Sequence, residues 1–301
     1  ILDVKIKYFS KTQSIFVLHL SMISKGIFFI LIATFAFAIM NATAKELSNF
    51  HPMQVVFFRA IGTFIFIFPT MLIRKIPIIG NNPKLLFLRG LVGVVSLSTF
   101  FMALQKIPLG SAISIRYLGP IFGVVMAAYF LKEKVKGIQW LSLIIAFSGV
   151  IVLKGFDPRI DSASLGLLLI SALFVGMVFV MIRYLTDKEH YLTIINYFMV
   201  VTIIVSLFFV NLWRIPIKNE WHSVVGIGIL GLIGQVFMTR AFQTEDTSVL
   251  APFKYMELVW ALILGYFLFD ETYSWAPFFG ISLIIIGMLL NVYSKNKTYK
   301  E

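Results

Sequence analysis

The sequence predicts an all-α membrane protein: ten transmembrane helices built as a 5+5 inverted repeat. Three observations lead there. The 301 residues are 59% hydrophobic and 13% charged, with a mean hydropathy of +0.92. A soluble domain is about 25% charged, and one soluble core cannot absorb this much apolar sequence, so the bilayer is the solvent for most of the chain. Apolar runs near the roughly 20 residues that a spanning helix needs recur ten times. Finally, ALQKIPLGSAISIRYLGPIFGVVMAAYFLKE (103–133) has a counterpart 138 positions later, AFQTEDTSVLAPFKYMELVWALILGYFLFDE (241–271). That offset aligns Ala103 with Ala241, Gln105 with Gln243, Arg116 with Lys254, Tyr117 with Tyr255 and Glu133 with Glu271.

The runs lie at 25–44, 52–73, 84–105, 108–131, 137–154, 164–186, 191–213, 222–243, 247–269 and 274–293. Turn-forming and polar residues separate them: Ser48-Asn49 with His51-Pro52, Gly80 to Pro83, Ile107-Pro108, Lys132 to Gly137, Asp187 to His190 and Arg214 to Glu220. Most of these loops are short, so neighbouring helices run antiparallel. The polar stretch Gly155–Ser164 is the seam between a first repeat (25–155) and a second (164–293), with tails at 1–24 and 294–301. Met22 precedes the first long run, and Ile15–Leu20 is too short to span or to form a signal segment. Residues 1–21 read as an upstream extension or a short basic tail, and a chain starting at Met22 is expected to insert and to transport normally.

Orientation follows from the lysines and arginines. With the N-terminus in the cytoplasm, the 26 basic residues divide into 16 on inner segments, 6 on outer segments (Lys45, Lys106, Lys154, Arg159, Arg214, Lys218) and 4 inside helices (Arg59, Arg116, Arg240, Lys254). Cytoplasmic flanks carry the excess of Lys and Arg, so both termini are expected in the cytoplasm. Five helices per half is an odd number, so the second half enters from the opposite side and the repeats are inverted. The net charge of +12 is accounted for by these orienting residues and calls for no nucleic acid. No cysteine is present, which excludes disulfides and thiolate chemistry, and the four histidines lack metal-ligand spacing.

A cation in a membrane helix is expensive and marks a functional site by default. At helical rise, Arg116 lies roughly 5 Å outside the midplane and Lys254 roughly 5 Å inside it, so an anionic group can pass between them. Glu257, the one acid well inside a run, follows Lys254 by three residues on the same face. It is either a fixed counter-charge or a carrier of a proton or a contact for a substrate ammonium. Tyr117 and Tyr255 adjoin the cations and offer a ring face and a hydroxyl, to a ligand or to neighbouring helices. Arg59 is about 10 Å from the outer end of its run, too deep to reach the surface easily. Arg183 and Arg240 are near inner ends, where long side chains extend to the interface. Glu133 and Glu271 are expected to tie helix ends to the following loops. Gly90, Gly93, Gly228 and Gly231 repeat at the same offset and suit close packing between the halves.

LGP…AAYFLKEKV (118–135), YFLFDETYS (266–274), FFRA (57–60), SGVIVLKG (148–155) and IIGMLLNVYS (285–294) resemble the EamA type of the drug/metabolite transporter superfamily, over about residues 25–294. The resemblance implies a central cavity enclosed by runs 1, 3, 4, 6, 8 and 9, with 5 and 10 outside. It also implies transport of small solutes, often with proton or exchange coupling. Asn41 and Thr34 in run 1, and Gln235 and Thr239 in run 8, then become cavity candidates, interhelical hydrogen bonding being the alternative. No phosphate loop, HExxH or GxSxG appears, so no enzyme and no cofactor is expected. The resulting expectation is a bacterial inner-membrane secondary transporter, monomer or homodimer, for a small anionic or amphoteric metabolite. A lipid-handling or scaffold protein is the alternative.

Overall fold

The structure, a computed structural model, describes residues 25–131, 137–185, 188–244, 250 and 253–298. Arg183 as a side chain, Glu133 and the tail before Lys25 lie outside the described residues. The helices are α1 (Lys25–Glu46), α2 (Pro52–Ile73), α3 (Pro83–Leu104), α4 (Leu109–Arg116), α5 (Gly119–Leu131) and α6 (Gly137–Phe156). They continue with α7 (Ser162–Leu185), α8 (Tyr191–Leu207), α9 (Trp221–Thr244), α10 (Met256–Phe269) and α11 (Trp275–Thr298). Five of them (α1, α2, α3, α7 and α9) are each long and apolar enough to cross a membrane.

Local chemistry sets the ends. Two of the histidines are caps: His51 Nδ1 accepts the Met53 N–H at 3.3 Å and His190 Nδ1 accepts the Leu192 N–H at 3.2 Å. Each satisfies an N–H that the first turn of a helix leaves without an internal partner. Pro52, Pro83 and Pro108 stand at or just before helix starts, where a missing N–H does no harm.

Two boundaries differ from the sequence reading. The run 191–213 stops as a helix at Leu207, and Phe208, Phe209 and Leu212 continue in an exposed apolar connection. Arg214 pins that connection. Its N–H donates to Gln54 Oε1 at 3.1 Å, its carbonyl accepts from Gln54 Nε2 at 2.6 Å, and its guanidinium pairs with Glu220. Hydropathy counts apolar residues and does not separate a helix from an apolar loop held by hydrogen bonds. The second difference is a break inside a predicted run, at Tyr117-Leu118 in the run 108–131 and again at Tyr255 in the run 247–269, and it shapes the site.

Most of the main pairings join an early helix to a late one: α1 with α9 and α10, α2 with α8 and α9, α3 with α7 and α8, and α6 with α11. Glycines let several backbones approach. A Cβ on Gly62 of α2 would meet the Gly228 Cα of α9 at 2.5 Å, and one on Gly149 of α6 would meet the Gly280 carbonyl oxygen of α11 at 2.6 Å. The repeated glycines lie on such contacts: Gly90 and Gly93 against Val201 and Phe198 of α8, and Gly228 and Gly231 against α2.

Candidate functional site

The break between α4 and α5 begins with proline chemistry. Pro120 has no N–H to give the Arg116 carbonyl, and Leu118 N–H turns back to Ile115 O at 3.1 Å in a tighter turn. The chain breaks again at Tyr255, 138 residues later, where Leu258 N–H bonds Tyr255 O at 3.0 Å and leaves the Lys254 carbonyl outside the helical ladder. Irregular backbone at membrane depth persists where protein or a cavity supplies the missing partners.

Between the breaks lies a cavity of about 180 Å³. It is lined from α1 by Asn41, from α2 by Arg59, from α3 by Arg89, from α9 by Gln235, and at the breaks by Arg116, Tyr117, Lys254 and Glu257. Tyr255 packs edge-on against Tyr117 with ring centroids 5.4 Å apart. The structure therefore gathers seven of the eight sequence candidates on one cavity wall and sets the eighth, Tyr255, directly behind Tyr117. Among the described lining residues none comes from α6 or α11. Phe198 of α8 and Arg59 add two helices to the six that the resemblance implies.

The cations rest on rings. Arg116 lies over Phe100 at 4.2 Å, Lys254 over Phe179 at 4.6 Å, and Arg89 over Phe198 at 4.6 Å. Such faces attract a cation through the ring quadrupole but accept none of its hydrogen bonds in the usual sense. Arg59 Nη1, Arg89 Nε and Nη1, and Arg116 Nε are buried with no hydrogen-bond partner. Arg59 Nε reaches only the Met40 sulfur, at 3.2 Å.

Of the alternatives for Glu257, a direct pair with Lys254 along one helix face is not the geometry found, and other groups hold the carboxyl. Among the described residues the ion pairs are Lys45–Glu271, Arg159–Asp157 and Arg214–Glu220. Glu257, 8% exposed, accepts from Asn41 Nδ2 at 3.0 Å and meets the Tyr117 hydroxyl at 2.8 Å. Because the chain turns at Tyr255, the Lys254 side chain goes to the Phe179 ring rather than along the helix face that a regular i, i+3 pair requires.

Arg89 is the residue that sequence reasoning missed. It was counted with the inner-flank cations, but it is 4% exposed and lines the cavity. Its place six residues inside a helix that begins at Pro83, about 9 Å along the axis, was the available signal. Thr34 and Thr239 follow neither alternative: they donate to carbonyls of their own helices, Leu31 O at 2.9 Å and Gln235 O at 2.7 Å. Arg240 is exposed. Glu271 meets its next loop at the Tyr273 hydroxyl, 3.2 Å away, and also ties the end of α10 to distant helices. It accepts Lys45 Nζ at 2.5 Å and the Leu109 N–H at 2.8 Å.

The model of the EamA-like transporter family matches residues 24–154 and again residues 163–293. The chain belongs to the EamA-like transporter family. It is 30% identical over 275 residues to the pseudopaline exporter CntI of Pseudomonas aeruginosa, spanning 90% of this chain and 96% of that one. It is 26% identical over 281 residues to the S-adenosylmethionine uptake transporter of Rickettsia prowazekii, spanning 91% and 94%. A solved crystal structure shares the fold with a TM-score of 0.64 at 15% identity, covering 92% of this chain and 99% of that one. The chain is thus a multi-pass membrane protein of a transporter family, whose named relatives move small molecules in both directions.

Proposed function

We propose that this transporter moves a small anionic or amphoteric metabolite, an amino acid or derivative, across the bacterial inner membrane by alternating access. The carrying observation is the charge inventory of the cavity. Four cationic side chains, Arg59, Arg89, Arg116 and Lys254, share the cavity with one acidic residue, Glu257, already engaged by Asn41 and Tyr117. Buried guanidinium donors without partners are costly, and a carboxylate entering the cavity satisfies them, in two-pronged fashion at an arginine. A purely cationic solute meets repulsion there. Gln235 and the ring of Tyr117 complete the contacts, with Tyr255 packed against Tyr117.

Ten spans in two inverted halves, with both termini cytoplasmic, are the topology this reading uses. The helix pairings support it, since exchanging the two halves turns the α1–α9 pair into α7–α3 and the α2–α9 pair into α8–α3. Helix breaks beside the site, the first at Gly119-Pro120 and the second at Tyr255, are the expected place for ligand contacts in such transporters. The test is a thermal-shift screen of amino acids and their derivatives on purified protein, because a ligand that binds the native state raises its apparent stability. Stabilisation by carboxylate-bearing compounds, lost in their amides, is the expected result. Stabilisation by organic cations alone contradicts the reading.

A further inference from the structure

Hydrogen-bond donors around Tyr117 do not balance if Glu257 is ionised. The Tyr117 oxygen is 2.8 Å from the Lys254 carbonyl oxygen and 2.8 Å from Glu257 Oε2. A carbonyl and a carboxylate only accept, and a phenol has one hydrogen to give. With Glu257 ionised, one of the two contacts sets oxygen lone pairs against each other in a buried place, where an unmade hydrogen bond is costly. With Glu257 protonated on Oε2, both contacts of the Tyr117 oxygen become hydrogen bonds. Oε2–H donates to the Tyr117 oxygen, and the Tyr117 hydroxyl donates to the Lys254 carbonyl that the helix break leaves free. Asn41 Nδ2 donates to Oε1, which is then the carbonyl oxygen of the acid.

We propose that Glu257 is a proton-binding site, neutral in the conformation described here, and that its proton is taken up and released together with the anionic substrate. This rests on the metabolite reading for its substrate and on the local geometry alone for its proton. The groups facing Glu257 are Arg116 and Tyr117 from the first break, Lys254 and Tyr255 from the second, Asn41 from α1, and Arg59 and Arg89 across the cavity. While Glu257 is neutral, all four cations are left to a bound anion. When Oε2 loses its proton, the Tyr117 hydroxyl swings from the Lys254 carbonyl to the new carboxylate, and the tie between the two breaks opens. The carboxylate then competes with the substrate for Arg116 and Lys254, which drives the anion out.

Infrared difference spectroscopy of the full chain in nanodiscs, wild type against Glu257→Gln without added substrate, tests the site. The expected result at neutral pH is a protonated-carboxyl band belonging to Glu257 that disappears at alkaline pH. Ionised-carboxylate bands alone at neutral pH overturn the proposal. Should Glu257→Gln fail to fold, wild type against Tyr117→Phe carries the same test, because the variant removes the acceptor of the carboxyl hydrogen. A displaced carboxyl band supports the proposal and an unchanged one overturns it. Neither comparison uses a substrate, so failure here is separable from failure of the thermal-shift screen.

Discussion

Replacing Glu271 with alanine should destabilise the protein more than any other single change at an element end. Its carboxylate is 5% exposed and holds three elements: Lys45 Nζ at 2.5 Å from the end of α1, the Leu109 N–H at 2.8 Å from the start of α4, and the Tyr273 hydroxyl at 3.2 Å. Removing one partner of a buried pair costs about 3–5 kcal/mol, because the other charge is left uncompensated. Lys45 is 16% exposed and keeps the Ile107 carbonyl at 2.6 Å, so the lower end of that range applies to the pair. The Leu109 N–H belongs to a first turn without internal partners, and orphaning it adds about 1–2 kcal/mol. Together these give about 4–5 kcal/mol, a fall in unfolding midpoint on the order of 10 °C. The assay is thermal unfolding of purified protein in one detergent. Glu271→Gln, which keeps an acceptor for Leu109, should lose roughly half as much. Lys45→Met combined with Glu271→Ala should cost less than the sum of the singles, since residues of one ion pair couple. A drop below about 1 kcal/mol, or strict additivity in the double variant, would refute the reasoning.

Three further outcomes are open to test. Gly228→Val should fail to accumulate as folded protein, because the Gly62 and Gly228 backbones are in contact and an added Cβ would lie 2.8 Å from the Gly62 Cα; normal yield and unchanged unfolding would show that α2 and α9 separate easily. Arg89→Leu should lower affinity for carboxylate ligands by about 10-fold or more, the size of a charge-assisted hydrogen bond. Arg89→Lys should recover only part of it, since an ammonium lacks the planar fork. A C-terminal reporter enzyme that works only outside the cytoplasm should stay inactive, and activity would reverse the assigned topology.

The helices were largely legible because a bilayer demands long apolar runs, and the starts at Pro52 and Tyr191 fell where the capping residues His51 and His190 stand. The 138-residue offset brought out the paired cations, and the structure sets both beside helix breaks. The breaks themselves were hidden. Gly119-Pro120 lies in an otherwise continuous apolar run, and only the missing Pro120 N–H signals that the Arg116 carbonyl loses its helical i+4 donor. Glu257 was read through helical spacing to Lys254, which fails once the chain turns at Tyr255 and Asn41, 216 residues away, becomes the partner. Arg89 was obscured by its closeness to the start of α3, since charge counting records position along the chain and not the direction of a side chain.

Substrate counterflow in proteoliposomes measures the central claim most directly: that the cation-lined cavity between the two breaks binds a carboxylate-bearing metabolite and passes it across the membrane. Vesicles loaded with an amino acid or derivative that stabilises the purified protein should exchange it for labelled external compound. Arg116→Ala, inserted at wild-type levels, should weaken that binding by about 2–5 kcal/mol, the cost of truncating one partner of a buried charge pair, and Arg116→Lys should restore it in part. Wild-type exchange and affinity in a properly inserted Arg116→Ala protein would contradict the account and leave the cation as a packing element.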